Sequence, residues 1–137
     1  MNRGIDWSVL EAPSLGEFET MCEAAYKGLP EKFRAMTKGI LIRVEDFPDP
    51  DVMQEMDLES EFDILGLFQG VGLAQGDAVP HTGRMPNMVT LYRRPILDYW
   101  AENEETLGHI VAHVLIHEIG HHFGLSDEDM EAIEANV

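Results

Sequence analysis

The sequence predicts a single α+β domain, and three observations predict it. Its 137 residues, 45% of them hydrophobic, suffice for one sizeable core. Three short segments rich in β-branched and apolar residues, Ile40–Glu45, Phe62–Gln69 and Asn87–Tyr92, lie among segments with helical spacing. The longest helical pattern, Glu102–Phe123, stands near the C-terminus and carries Leu107, Ile110, Val111, Val114, Leu115 and Ile119 as its buried surface.

The elements follow in chain order. Residues 1–13 read as an N-terminal arm, with Trp7 and Leu10 docking on the core. Ser14 and Glu17 form a capping-box pattern that opens a first helix. Leu15, Phe18, Met21, Cys22, Ala25 and Leu29 recur on one face of it, and Gly28 and Pro30 stop it. A short helical turn follows at Glu31–Met36, and then the strand Ile40–Glu45. Asp46–Asp57, with Pro48, Pro50 and many acids, reads as an exposed loop. The second strand holds Gly66, which signals a bulge or a close backbone approach.

Gly70, Gly72 and Gly76 read as turns, because no phosphate-loop ending follows them. Pro80–Pro86 is a second loop, carrying His81 and Arg84. Arg93, Arg94 and Pro95 end the third strand, and Pro95–Trp100 is a short helix or an irregular bridge. The long helix comes next, its first turns crowded with acids as the dipole prefers. Asp127–Ala135 reads as a short final helix.

Charge narrows the partners. There are 26 acids against 9 bases, a net charge of −17. Phosphate contacts need clustered Lys and Arg, so neither a nucleic acid nor an anionic membrane is expected as a partner. Cys22 is the only cysteine, so no intrachain disulfide forms. It reads as a small buried apolar residue. Met1–Glu11 has acids and no apolar run, unlike a secretory signal, and no segment reaches transmembrane length. A cytoplasmic monomer is the default expectation.

The chemistry concentrates in His117-Glu118-Ile119-Gly120-His121-His122-Phe123-Gly124-Leu125-Ser126-Asp127, which has the pattern H-E-x-x-H-x-x-G-x-x-D. Helical spacing puts His117 and His121 on one face, where both imidazoles reach one metal ion. A catalytic zinc takes three protein ligands and keeps one position open. Glu118 stands where a carboxylate takes a proton from water as general base. Gly124 ends the helix in a left-handed turn and brings Asp127 round as third ligand. Glu128 and Asp129 are rival third ligands, and Ser126 with Asp129 also resembles a helix start, which makes Asp127 a first-turn acid.

Around the motif, His113 and His122 are candidates for supporting hydrogen bonds or plain solvated histidines, and His109 reads as polar surface. Tyr92, Tyr99, His81 and Arg84 are candidate oxyanion stabilisers. Trp7 and Trp100 read as packing anchors. Either Met88–Tyr92 or Leu65–Gln69 is the candidate sheet edge for an extended peptide.

These features, in this order, resemble the small bacterial zincin-like metallopeptidase family, described as a minimal metalloprotease. The resemblance is carried by the helix Phe18–Leu29 with Pro30, the strand Ile40–Glu45, Leu65-Gly66-Leu67-Phe68-Gln69-Gly70, Met88-Val89-Thr90-Leu91-Tyr92-Arg93 and the His117–Asp127 signature. It implies a zincin-like fold, with a small mixed sheet packed on the long active-site helix. The chemistry that the motif would support is peptide-bond hydrolysis, with one zinc ion per chain.

The signature is similar to that of metzincins with an acidic third ligand, and that likeness carries over His117, His121 and Asp127 as ligands and Glu118 as base. The methionine turn of metzincins has no clear counterpart: only Met130 lies beyond Asp127, and it reads as core. Three classes follow: a zinc peptidase acting on peptides or proteins, a metal-binding and proteolytically weak domain working through a protein partner, and a structural domain. Glu118 favours the first, because a binding module needs the ligands and not the base.

Overall fold

The structure, a computed structural model, describes residues 4–70 and 86–137. Helices α1 (Leu15–Lys27) and α2 (Glu31–Met36) precede strand β1 (Leu41–Glu45) and helix α3 (Pro50–Glu55). Strands β2 (Gly66–Gln69) and β3 (Met88–Tyr92) lead into helices α4 (Arg93–Glu102), α5 (Leu107–His122) and α6 (Asp127–Ala135). Among the described residues the sheet has three strands in the order β1-β3-β2. It is mixed: β1 runs parallel to β3 and β2 antiparallel to it. This is the α+β arrangement expected, with α5 packed on the sheet and α1 against both α5 and β1.

Local chemistry accounts for the element ends. The Ser14 hydroxyl accepts the Glu17 N–H and the Glu17 carboxylate accepts the Ser14 N–H, closing the expected capping box of α1. Phe18 and Cys22 on its inner face are fully buried. Burial, with the nearby Glu19 charge, pushes the Cys22 thiol up to about 12, as a small apolar role requires. The Arg93 guanidinium donates to the Pro13 carbonyl and pairs with Asp46 at 3.0 Å, tying the start of the chain to the end of β1 and to α4.

Several expectations change. The acid-rich segment after β1 contains α3, because the Asp49 side chain accepts the Val52 N–H and Pro50 occupies the first helical position. The second strand starts at Gly66 rather than Phe62. The Ser60 and Asp63 side chains bond the local backbone and hold that stretch as a turn. Of the two readings of Pro95–Trp100 the helix holds, and it starts earlier than expected, at Arg93, since proline is tolerated in a first turn.

The long helix begins at Leu107, with the Thr106 hydroxyl accepting the His109 N–H, so the acids before it lie outside its first turn. Trp7 is 67% exposed and Leu10 54%, so neither docks on the core, and Trp100 is only partly covered. Strand β3 is central and buried on both faces, which removes Met88–Tyr92 as an edge. His81, Arg84, Gly72, Gly76 and the loop around them lie outside the described residues, apart from Pro86 at its end.

Gly66 sits at the closest approach of helix and sheet. A Cβ built there would lie 2.6 Å from Val114 Cγ1 and 3.2 Å from the Thr90 carbonyl, both below contact distance. The close-approach reading of this glycine therefore holds. Gly66→Ala is expected to overpack the interface and cost about 1–3 kcal/mol. Urea unfolding would show it as a lower midpoint at unchanged slope.

Candidate metal centre

Helix α5 is apolar nearly all round, with Ile110, Val111, Val114, Leu115, Ile116 and Ile119 buried. The polar stripe left to it consists of His109, His113, His117 and His121, at intervals of four residues. The helix stops where the sequence predicts. Gly124 has φ +85°, the Leu125 N–H donates to the Gly120 carbonyl and the Gly124 N–H to that of His121. This double closure leaves the chain free to reverse.

Two residues on, Ser126 and Asp129 cap α6 reciprocally, so Asp127 is a first-turn acid of that helix, as the alternative reading held. Met130 is fully buried beneath Gly120, where an added Cβ would meet its sulfur at 2.7 Å, so its role is packing.

The histidine stripe faces the acids of α6. Near the turn, His121 Nε2 lies 3.7 Å from Asp127 Oδ1, and both side chains are largely exposed. One turn back, His117 Nε2 lies 3.4 Å from Glu134 Oε1. That is ion-pair range without hydrogen-bond geometry, and His117 Nε2 is buried with no hydrogen-bond partner. His113 Nδ1 lies 2.7 Å from both oxygens of Glu134, and its ring stacks on that of His117 at 4.1 Å.

Among the described residues, the donor atoms gathered within 4.8 Å of one another are those of His113, His117 and Glu134. The rings of His117 and His121 stand 6.5 Å apart. The motif residues His117, His121 and Asp127 thus follow one another along the stripe, with His117 turned toward Glu134.

Glu118 lies about 100° round α5 from His117, on the side that meets β2. The Tyr92 N–H donates to the Leu65 carbonyl at 2.9 Å, and strand alternation then turns Leu67 and Gln69 toward β3. The backbone groups of Gly66 and Phe68 face the outer edge. There the Phe68 N–H bonds the Glu118 carboxylate. Burial pushes the Glu118 carboxyl up, and the Phe68 bond and the His121 charge offset this only in part.

Of the other candidates, Tyr92 is buried, and its hydroxyl is pushed up to about 12 chiefly by burial, with Glu45, Asp49 and Glu118 adding negative charge. It therefore stays a neutral donor. Tyr99 is partly exposed on α4. His122 stacks on Phe68 at 4.3 Å, and burial and His121 push its pKa down. His109 pairs with Glu105 at 2.9 Å.

Glu134 is the participant that motif reasoning misses. It lies beyond the signature, and only the four-residue histidine ladder hints that an acid of the last helix should face it. Burial pushes its carboxyl up, but the hydrogen bond and charge of His113, with the nearby His117, outweigh that and hold it below its ordinary value.

A buried imidazole nitrogen without a hydrogen-bond partner, beside other imidazoles and carboxylates, fits a borderline divalent ion such as zinc. Comparison with known proteins agrees. Residues 37–137 match the zincin-like metallopeptidase family. In fold the chain is similar to a conserved hypothetical protein from Thermus thermophilus, at 21% identity and a TM-score of 0.51. That alignment covers 80% of this chain and 92% of the other. No curated protein matches. The chain belongs to the zincin-like metallopeptidase family.

The burial of Glu118 has a measurable sign. Its carboxyl holds a proton to higher pH folded than unfolded, so ionisation between those two values favours the unfolded chain. Its contribution to stability is full below the ordinary carboxylate value, about pH 4, and falls as pH rises. Glu118→Gln is expected to raise the Tm of the metal-free protein at pH 7. That gain should vanish as pH falls through about 4, checked by thermal melts across pH.

Proposed function

We propose that this member of the zincin-like metallopeptidase family is a zinc-dependent peptidase, with His117, His121 and Asp127 as ligands and Glu118 as general base. The observation that carries the reading is the buried His117 Nε2 with no hydrogen-bond partner, which a metal would satisfy. When bound, zinc supplies a Lewis acid and lowers the pKa of water from about 15.7 to about 7.

The chain's own residues do the rest. Glu118, held by the Phe68 N–H and raised by burial, is a stronger base than a solvated carboxylate. It accepts the proton of the attacking water and returns it to the leaving amine. The outward carbonyls of Gly66 and Phe68 and the Gly66 N–H are suited to an extended peptide added alongside β2, which is an edge among the described residues, while the Phe68 N–H stays with Glu118. That arrangement would lay the scissile bond next to the Glu118 carboxylate. The acidic surface suits peptide or protein substrates carrying basic residues, with no role for nucleic acid.

The second reading, a binding domain of weak proteolysis, draws on the exposure of His121 and Asp127, which leaves part of the ligand set loosely placed. In either reading the described helices include none long and apolar enough to cross a membrane.

Elemental analysis after zinc loading and desalting is expected to give about one zinc per chain, lost in His117→Ala/His121→Ala. Glu118→Gln should keep the zinc and lower peptide hydrolysis by about 10²–10⁴-fold, the usual contribution of a general base. Hydrolysis that survives Glu118→Gln would remove Glu118 from the mechanism. Zinc bound without any hydrolysis of a peptide library would favour the binding-domain reading.

A further inference from the structure

We infer that His113, His117 and Glu134 form a second seat for a divalent ion of zinc's class, which shares His117 with the His121–Asp127 pair and so competes with it. The seat itself stands on its own geometry. Only the competition rests on the ligand set proposed above.

Helix α5 carries two overlapping pairs of histidines four residues apart, His113 with His117 and His117 with His121. Each pair meets an acid of α6. Asp127 stands beside His121, and Glu134, about two helical turns further along α6, stands beside His113 and His117. The Glu134 side chain is 17% exposed, and every ion-pair partner it has among the described residues is a histidine: His109 at 3.8 Å, His113 and His117. A carboxylate so withdrawn from water, facing imidazoles and no lysine or arginine, is a ligand set waiting for a cation.

The spacing agrees. Two ligands on one tetrahedral zinc stand about 3.3 Å apart, given bonds of about 2.0–2.1 Å. His117 Nε2 and Glu134 Oε1 are 3.4 Å apart. His113 Nδ1 is at hydrogen-bond distance from Glu134, 2.7 Å, and must move out by about 0.6 Å when an ion replaces the shared proton. Imidazole and carboxylate donors select zinc, cobalt or nickel over calcium or magnesium.

His117 Nε2 binds one ion at a time. An ion held by His113, His117 and Glu134 therefore leaves the His121–Asp127 pair without the imidazole it would need. The chain then carries its metal in a holding position and must pass His117 from one acid to the other to reach the catalytic one.

The test uses the full metal-free chain, titrated with Co²⁺ by visible absorption and with Zn²⁺ by calorimetry. The wild type should take one ion per chain. His121→Ala/Asp127→Ala removes two exposed side chains and should still take one ion. Adding His113→Ala to that variant should weaken binding by more than the 10–100-fold typical of losing a supporting hydrogen bond. Thermal melts verify folding, with His121→Asn/Asp127→Asn as the milder substitute.

Loss of all binding in a folded His121→Ala/Asp127→Ala protein overturns the second seat. Two ions per wild-type chain overturn the sharing of His117. Binding lost in His113→Ala/Glu134→Gln but kept in His121→Ala/Asp127→Ala leaves this inference standing and removes the ligand set of the proposed function.

Discussion

The absence of a side chain at Gly66 lets α5 lie directly on β2, and the placement of the site depends on that contact. Val114 fills the space where a Cβ would stand, and the Glu118 side chain runs along the same gap. The strand edge and the base are thereby held at one fixed separation, with the Phe68 N–H between them. A wider seating would hydrate Glu118 and relax its pKa toward the solvent value, and with it the basicity that a hydrolytic role needs. The same seating buries most of the circumference of α5, which is why His109, His113, His117 and His121 share one stripe.

The second constraint is the reversal after α5. A left-handed Gly124, two carbonyl-capping bonds and the reciprocal Ser126–Asp129 cap turn the chain within a few residues. Met130 locks the return by packing under Gly120. Helix α6 is thus laid against the histidine stripe with its acids in the opposite order, Asp127 opposite His121 and Glu134 opposite His113 and His117. The pairing is a matter of helical periods, not of any loop that could adapt.

Much of this was legible in the residues. Helices α1, α2 and α6 follow from caps and breakers that act over three or four positions, and the motif around His117 follows from one helical turn. The close approach at Gly66 was legible because a glycine inside an apolar strand has few other uses. What escaped depends on contacts between distant segments or on caps hidden by composition. Asp49 and Pro50 were masked by the surrounding acids. Thr106 was masked by the apparent continuity of Glu102–Phe123. The central position of β3 follows from a pairing order that no single strand encodes. Glu134 escaped because one acid among many in an acidic tail gains meaning only once α6 is folded back.

Cys22 carries a consequence of a different kind. Its sulfur is fully buried between α1 and the core, and its proton is held to about 12. Native molecules therefore present no thiolate to an alkylating reagent, while any chain in which α1 has lifted away presents one. The ratio of the labelling rate to that of a free thiol is an opening constant for this helix, read under native conditions without denaturant. The single cysteine is in effect a clock built into the core, and it runs only when the core comes apart.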